Sequence, residues 1–180
     1  MIRLVVFLGN PGMKYSSTRH NLAWLALECL SFYGGLTWKR KFRGEYAQET
    51  IQGERLVLLK PLTFMNRSGG CVREAAGFYK FLPEEILVVH DDVELDFGQI
   101  RFKWGGGLGG HNGLRSVSES LGTKGFCRLR LGIGRPVRQE VSSYVLGGFS
   151  RDQEELLPEF LDRAAGELQE SLPGGPSLPA

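Results

Sequence analysis

The sequence predicts an α/β sandwich. Apolar runs of strand length alternate with segments of helical period, and Gly, Pro or Asn punctuates the junctions between them. Residues 3–8 (R-L-V-V-F-L) are apolar without alternation, as in a strand buried on both faces, and G-N-P-G at 9–12 ends the run. From Thr18 the spacing turns helical. Leu22, Leu25, Cys29 and Phe32 fall on the expected inner face, and Gly34-Gly35 stops the helix. Residues 46–51 and 55–60 read as a hairpin turned through Gln52-Gly53-Glu54, with Pro61 breaking the second strand.

Asn66 is the expected N-cap of a helix reaching Phe81, with Val72, Ala75, Ala76 and Tyr79 inward; Gly70 and Gly77 weaken it. Residues 86–89 form a buried strand ending at His90-Asp91-Asp92, and residues 99–104 a strand leading into the glycine stretch 105–110. Asn112 is the expected cap of a helix with Leu114, Val117 and Leu121 inward. Residues 128–133 alternate, placing Arg128 and Arg130 together, opposite Leu129 and Leu131. Residues 151–171 form an acidic helix interrupted by Pro158, and 173–180 are an expected disordered tail. With no internal repeat and no long linker, residues 1–172 are expected to be one domain.

Composition bounds the function. Apolar residues are 42% of 180, enough for a full core, and 23% charged residues is ordinary for a globular protein. Cys29, Cys71 and Cys127 make an odd count without a C-x-x-C, which argues against a disulfide framework and for a reducing compartment. The longest early apolar run is five residues, too short for a secretory or membrane segment. The expectation is a soluble cytoplasmic protein without membrane association. It is expected to be a monomer, because nothing suggests an interface stripe.

The net charge of +2 conceals strong patterning. Residues 1–80 hold 12 Lys/Arg against 5 Asp/Glu, and 101–138 hold 8 against 1; 81–100 hold none against 6, and 139–180 hold 2 against 8. Two basic blocks separated by an acidic one suggest a polarised surface, and a basic face invites a polyanion.

Three segments follow directly after expected strands: 9–12, 90–92 and 105–113. Ligands gather at the carboxyl ends of strands in such sheets, so the three are expected to share one rim. Each Asn there is by itself an ordinary turn or cap residue. Their company changes the reading: His20 near a helix start, Asp91 at a strand end, and the amides Asn10, Asn66 and Asn112. An imidazole held by a carboxylate through one nitrogen is a workable general base near neutral pH. Carboxamides donate to a developing oxyanion without adding charge.

Other chemistries fit poorly. No G-x-S-x-G elbow and no P-loop are present, and the histidines lack metal-ligand spacing with the cysteines. Residues 105–110 satisfy G-x-G-x-x-G, but 120–139 contain no acid for a dinucleotide ribose. Arg128 and Arg130 on one strand face are suited to clamping a phosphate, although spacing alone favours an ordinary solvated face.

Together these segments resemble bacterial-type peptidyl-tRNA hydrolase. The resemblance rests on G-N-P-G at 9–12, Y-x-x-T-R-H-N at 15–21 and K-P-L-T-F-M-N-R-S-G at 60–69. It continues with H-D-D at 90–92, G-G-G-L-G-G-H-N-G at 105–113 and R-L-R-L-G-I-G-R-P at 128–136. It implies a single-domain fold with a twisted, mixed central sheet flanked by helices. It also implies hydrolysis of the ester joining a peptide to the 3′-terminal ribose of tRNA, without metal or cofactor. On that resemblance His20 is the general base, Asp91 orients and polarises it, and Asn10 is a catalytic amide. Asn66 and Asn112 position substrate, Tyr15 and Met65 line the pocket at the ester and terminal adenosine, and Lys103 and Arg130 clamp the tRNA 5′-phosphate.

The chain departs from the family pattern at Ala23, where Gly is usual, at 93–97 after H-D-D, and at Arg101, where Lys is frequent. A competing reading is a non-catalytic RNA-splicing partner of the same fold, which would bind a protein through an apolar surface.

Overall fold

The unbroken apolar run near the N-terminus becomes β1 (Leu4–Phe7), with all four side chains buried. The computed structural model describes residues 1–172. The expected tail at 173–180 therefore lies outside the described residues. Among those described, seven strands form one sheet.

The other strands are β2 (Lys39–Lys41), β3 (Gly44–Ile51), β4 (Glu54–Pro61), β5 (Ile86–Asp92), β6 (Ile100–Trp104) and β7 (Cys127–Gly132). Their order is β2-β3-β4-β1-β5-β7-β6. Strands β4, β1, β5 and β7 run parallel, while β2, β3 and β6 add antiparallel edges. This is the expected α/β sandwich around a mixed sheet.

Alternation along β1 feeds two cores. Val5 and Phe7 pack on one face with α1 (Leu22–Glu28) and α5 (Arg151–Glu170). Leu4, Val6 and Leu8 pack on the other with α2 (Ser68–Tyr79) and α3 (Asn112–Leu121). A strand covered on both sides has no polar face to show, which is why the run lacks alternation. A short helix, α4 (Val141–Val145), precedes α5.

Several local expectations are corrected. α1 buries Leu22, Ala23, Ala26 and Leu27, and leaves Leu25 and Cys29 half-buried. Its small residues share a cluster with Ala164 and Ala165 of α5, so the close helix contact selects the alanine face over the larger apolar stripe. Ala23 is accommodated there without exposure. Pro61 remains inside β4, paired with Gly44, and the hairpin turns through Gln52 and Gly53, both at positive φ. Pro158 leaves α5 continuous over 20 residues.

Asn66 does not cap α2. It sits exposed on a 3₁₀ turn, Met65–Arg67, and the Gly69 N–H instead donates to Ser116 Oγ of α3 at 2.9 Å. The cap comes from a neighbouring helix because α2 and α3 meet backbone to backbone: a Cβ on Gly69 would strike the Ser116 carbonyl. The Gly69→Ala substitution is expected to cost about 3 kcal/mol, since a close-packed contact cannot absorb a methyl. Chemical denaturation measures it, and an unchanged unfolding midpoint would contradict the contact.

Candidate active site

β5 runs three residues further than its apolar run, so His90-Asp91-Asp92 lies inside the strand and pairs with residues 130–132 of β7. This places Asp91 wholly buried at the carboxyl end of the sheet. His20 reaches it from a 3₁₀ turn, Arg19–Asn21, immediately before α1. His20 Nδ1 lies 2.9 Å from both carboxylate oxygens. An ionised carboxylate only accepts, so Nδ1 donates and the Nε2 lone pair is left to the cavities that His20 lines.

Burial disfavours the charged imidazole, but the Asp91 charge and hydrogen bond outweigh it and raise the pKa of His20 above 6.5. Burial also opposes the Asp91 charge. The hydrogen bonds from His20 and His111, with the positive charge that His20 can carry, offset this and hold the carboxyl well below the usual range.

Arg19 fixes the turn that carries His20. It is buried, stacks 3.9 Å from the Tyr144 ring centroid, and donates to the Tyr144 carbonyl at 3.1 Å and to Gln153 Oε1 at 3.0 Å. The helices α4 and α5 therefore position a residue more than a hundred places earlier in the chain.

Asn10, beyond β1, is buried. Its Oδ1 accepts from the Met65 N–H at 2.8 Å, which turns its amide nitrogen into a free donor. Asn21 clamps the Asn10 backbone, accepting from its N–H and donating to its carbonyl, both at 2.9 Å.

Two adjoining cavities, of about 280 and about 190 Å³, share His20, Asn112, Ser142 and Val145. The larger is walled by 90–93 and by the glycine loop at 108–112; the smaller by Asn10, Phe64, Met65, Asn66 and Leu146. Six expected residues are thus brought together: His20, Asp91, Asn10, Met65, Asn66 and Asn112. Tyr15, Lys103 and Arg130 line neither cavity. Tyr15 is half-buried on the 3₁₀ turn Met13–Tyr15, and Lys103 is exposed on β6. Arg130 pairs through Nε with Asp92 Oδ2 at 2.8 Å, at the larger cavity's edge.

Two corrections follow at the glycine loop. The residue capping α3 is His111, not Asn112: its Nδ1 accepts from the Gly113 and Leu114 N–H groups at 3.1 and 3.3 Å. Nδ1 then carries no proton, so Nε2 donates to Asp91 Oδ1 at 3.0 Å. Arg128 and Arg130 do share a sheet face, but Arg128 is buried and donates to the Gly105 and Gly107 carbonyls. It anchors the loop and is not available to a phosphate.

Sequence reasoning missed His111, His90, Asn21 and the α4 wall. His111 carried one signal, its place between the glycine stretch and Asn112. Among the described residues, the atoms of His20, Asp91 and His111 lie within 4.8 Å of one another, close enough to surround a cation. As arranged, those atoms bond to one another, and an ion would have to replace both hydrogen bonds.

A profile of the peptidyl-tRNA hydrolase family matches residues 4–177. The chain is 47% identical to the peptidyl-tRNA hydrolase of Geotalea uraniireducens, over 98% of this chain and 95% of the relative. It is 47% identical to that of Geobacter sulfurreducens, over 96% and 90%. The crystal structure of peptidyl-tRNA hydrolase from Acinetobacter baumannii superposes with a TM-score of 0.86 at 40% identity, covering 96% of this chain and 89% of that one. Sequence, fold and site geometry lead to one conclusion: the chain belongs to the peptidyl-tRNA hydrolase family.

Proposed function

We propose that this chain hydrolyses the ester between a peptide, or an N-blocked amino acid, and the 3′-terminal ribose of tRNA, with His20 as general base. The observation that carries the reading is the His20–Asp91 pair, which presents a bare Nε2 to a cavity walled by carboxamides. His20 takes a proton from water as its oxygen attacks the ester carbonyl. The tetrahedral oxyanion accepts from the free amide nitrogen of Asn10. Collapse expels the ribose 3′-oxygen, which recovers the proton from His20, leaving tRNA and a carboxylic acid that ionises by releasing its remaining proton to solvent. Asp91 keeps the imidazole in the useful tautomer and balances its transient charge.

Asn66 and Asn112, which both line the smaller cavity, position the substrate. Met65, with its backbone holding Asn10, forms the apolar side of the smaller cavity towards the terminal adenosine, and Tyr15, outside both cavities, meets the substrate beyond it. Arg101, Lys103 and Arg130 share one sheet face, in register across β6 and β7. That shared face supports Lys103 and Arg130 as the clamp on the 5′-phosphate, with the terminal nitrogens of Arg130 serving it while Nε holds Asp92. Among the described residues no helix is long and apolar enough to cross a membrane. The enzyme works as a monomer in the cytoplasm, where translation supplies its substrate.

The direct test is release of N-acetylated amino acid from N-acetyl-aminoacyl-tRNA, with the free-amine ester as control. His20→Ala is expected to slow turnover by about 10²- to 10⁴-fold while tRNA affinity persists. Near-normal turnover would remove the base, and tRNA binding without release in the unsubstituted protein would favour the non-catalytic reading.

The acid limb of kcat/KM against pH is expected above 6.5, because neutral His20 is the active form and its pKa is raised. Asp91→Asn removes the raising charge, so the limb should move to lower pH as the plateau rate falls. A limb that stays in place would contradict the pairing.

Arg130→Ala should raise KM and lower the slope of log KM against log salt by about one, as expected for one lost phosphate contact. An unchanged slope would exclude Arg130 from the clamp.

A further inference from the structure

His111 is the residue at the site that the reaction just described leaves unused. Its hydrogen bond to the reacting machinery goes to Asp91. Two backbone amides of the first turn of α3 point at its Nδ1, and a backbone N–H is only a donor. The ring is thereby fixed as an acceptor on one side and a donor on the other. The donor side reaches Asp91 Oδ1, which already receives His20; Asp91 Oδ2 receives His20 alone. The two imidazoles lie with ring centroids 4.8 Å apart, competing for one carboxylate.

We propose that His111 is a positioning residue that sets how much of the Asp91 charge reaches His20, by spending part of it on a neutral hydrogen bond whose direction α3 dictates. The inference rests on His20 being the base, whose neutral form is the one that takes a proton from water. With Asp91 serving His20 alone, imidazolium would be favoured and the base would be protonated more of the time. The His111 donor draws the balance back.

Few other groups around the pair can do this. His90, on β5, meets the His111 ring edge-on at 5.1 Å and donates its Nδ1–H to the Asp91 carbonyl. Burial pushes its pKa down to about 3, so it contributes no charge. Asp92, also on β5, is paired with Arg130 of β7. Arg19, beside His20, is turned to Tyr144 and Gln153. Glu140 is exposed where the chain enters α4. None of these donates to the Asp91 carboxylate.

Two substitutions separate the two ends of the His111 ring. Asn places a side-chain oxygen near the Nδ1 position and keeps the cap, but cannot reach Asp91. Gln places an amide nitrogen near the Nε2 position and keeps the donor, but loses the cap. The experiment is a nitrogen-15 NMR titration of the His20 ring in the full chain, which requires no activity and so stands apart from any failure of the base assignment.

His111→Asn should raise the His20 midpoint by about half to one pH unit with little change in Tm. The acid limb of kcat/KM should move up with it. His111→Gln should leave the midpoint near its original value and lower Tm by a few degrees, roughly the effect of a lost cap. An unmoved midpoint in the Asn protein, or equal shifts in both, would overturn the proposal. In the unsubstituted protein at neutral pH, His111 must show its proton on Nε2; a proton on Nδ1 would overturn it without any variant.

Discussion

A carboxylate almost wholly withdrawn from water dictates the arrangement of this molecule's active-site rim. Asp91 is 2% exposed. A buried charge in that position is tolerated only when it is paired and hydrogen-bonded. The sheet brings it there by extending β5 past its apolar stretch, and two imidazoles from different parts of the chain satisfy it. Each imidazole is in turn held by backbone. The Arg19 clamp on the C-terminal helices fixes the turn bearing His20, and the first turn of α3 fixes His111. Removing the carboxylate would leave both rings with an unmet donor in a nearly closed space.

The same logic separates two arginines that alternation makes look equivalent. Arg128 and Arg130 stand on one face of β7, two residues apart. The glycine loop closes over the first, and its guanidinium ties down two loop carbonyls that no strand can reach. The second lies nearer the rim, half-buried beside Asp92, with donors to spare. One arginine shapes the loop that walls the cavity, and the other keeps its terminal nitrogens free, as the proposed phosphate clamp needs. Electrostatic patterning in the sequence reflects both uses, and counting charges cannot distinguish them.

Much of this was legible in the letters. The double-sided burial of β1 follows from the missing alternation in residues 3–8, and the shared rim follows from turn signals after successive strands. His20, Asp91 and the amides stood out because each lies in or beside a turn or an expected helix start. What failed was local chemistry that depends on a distant partner. Asn66 and Asn112 have the letters of helix caps, yet Ser116 and His111 do that work, since a helix amide takes whichever acceptor packing delivers. The α1 inner face was misread because large apolar residues usually mark burial, while the neighbouring alanines of α5 here favour the small side. α4 offered no strong period over five residues, so its part in the cavity wall was invisible. His111 was passed over because its two bonds run to a carboxylate twenty residues away and to its own helix, neither of which spacing reveals.

The central claim is that Asp91 fixes the tautomer of His20 and leaves Nε2 as a lone pair facing the cavity. A neutron structure at a pH above the acid limb of kcat/KM, where His20 is neutral, tests this most directly, by locating the exchangeable deuterium on the His20 ring. The account predicts deuterium on Nδ1, between the ring and Asp91, and none on Nε2. Deuterium on Nε2 with Nδ1 bare and Asp91 protonated would contradict it, because the base would then already be occupied and the buried carboxyl neutral.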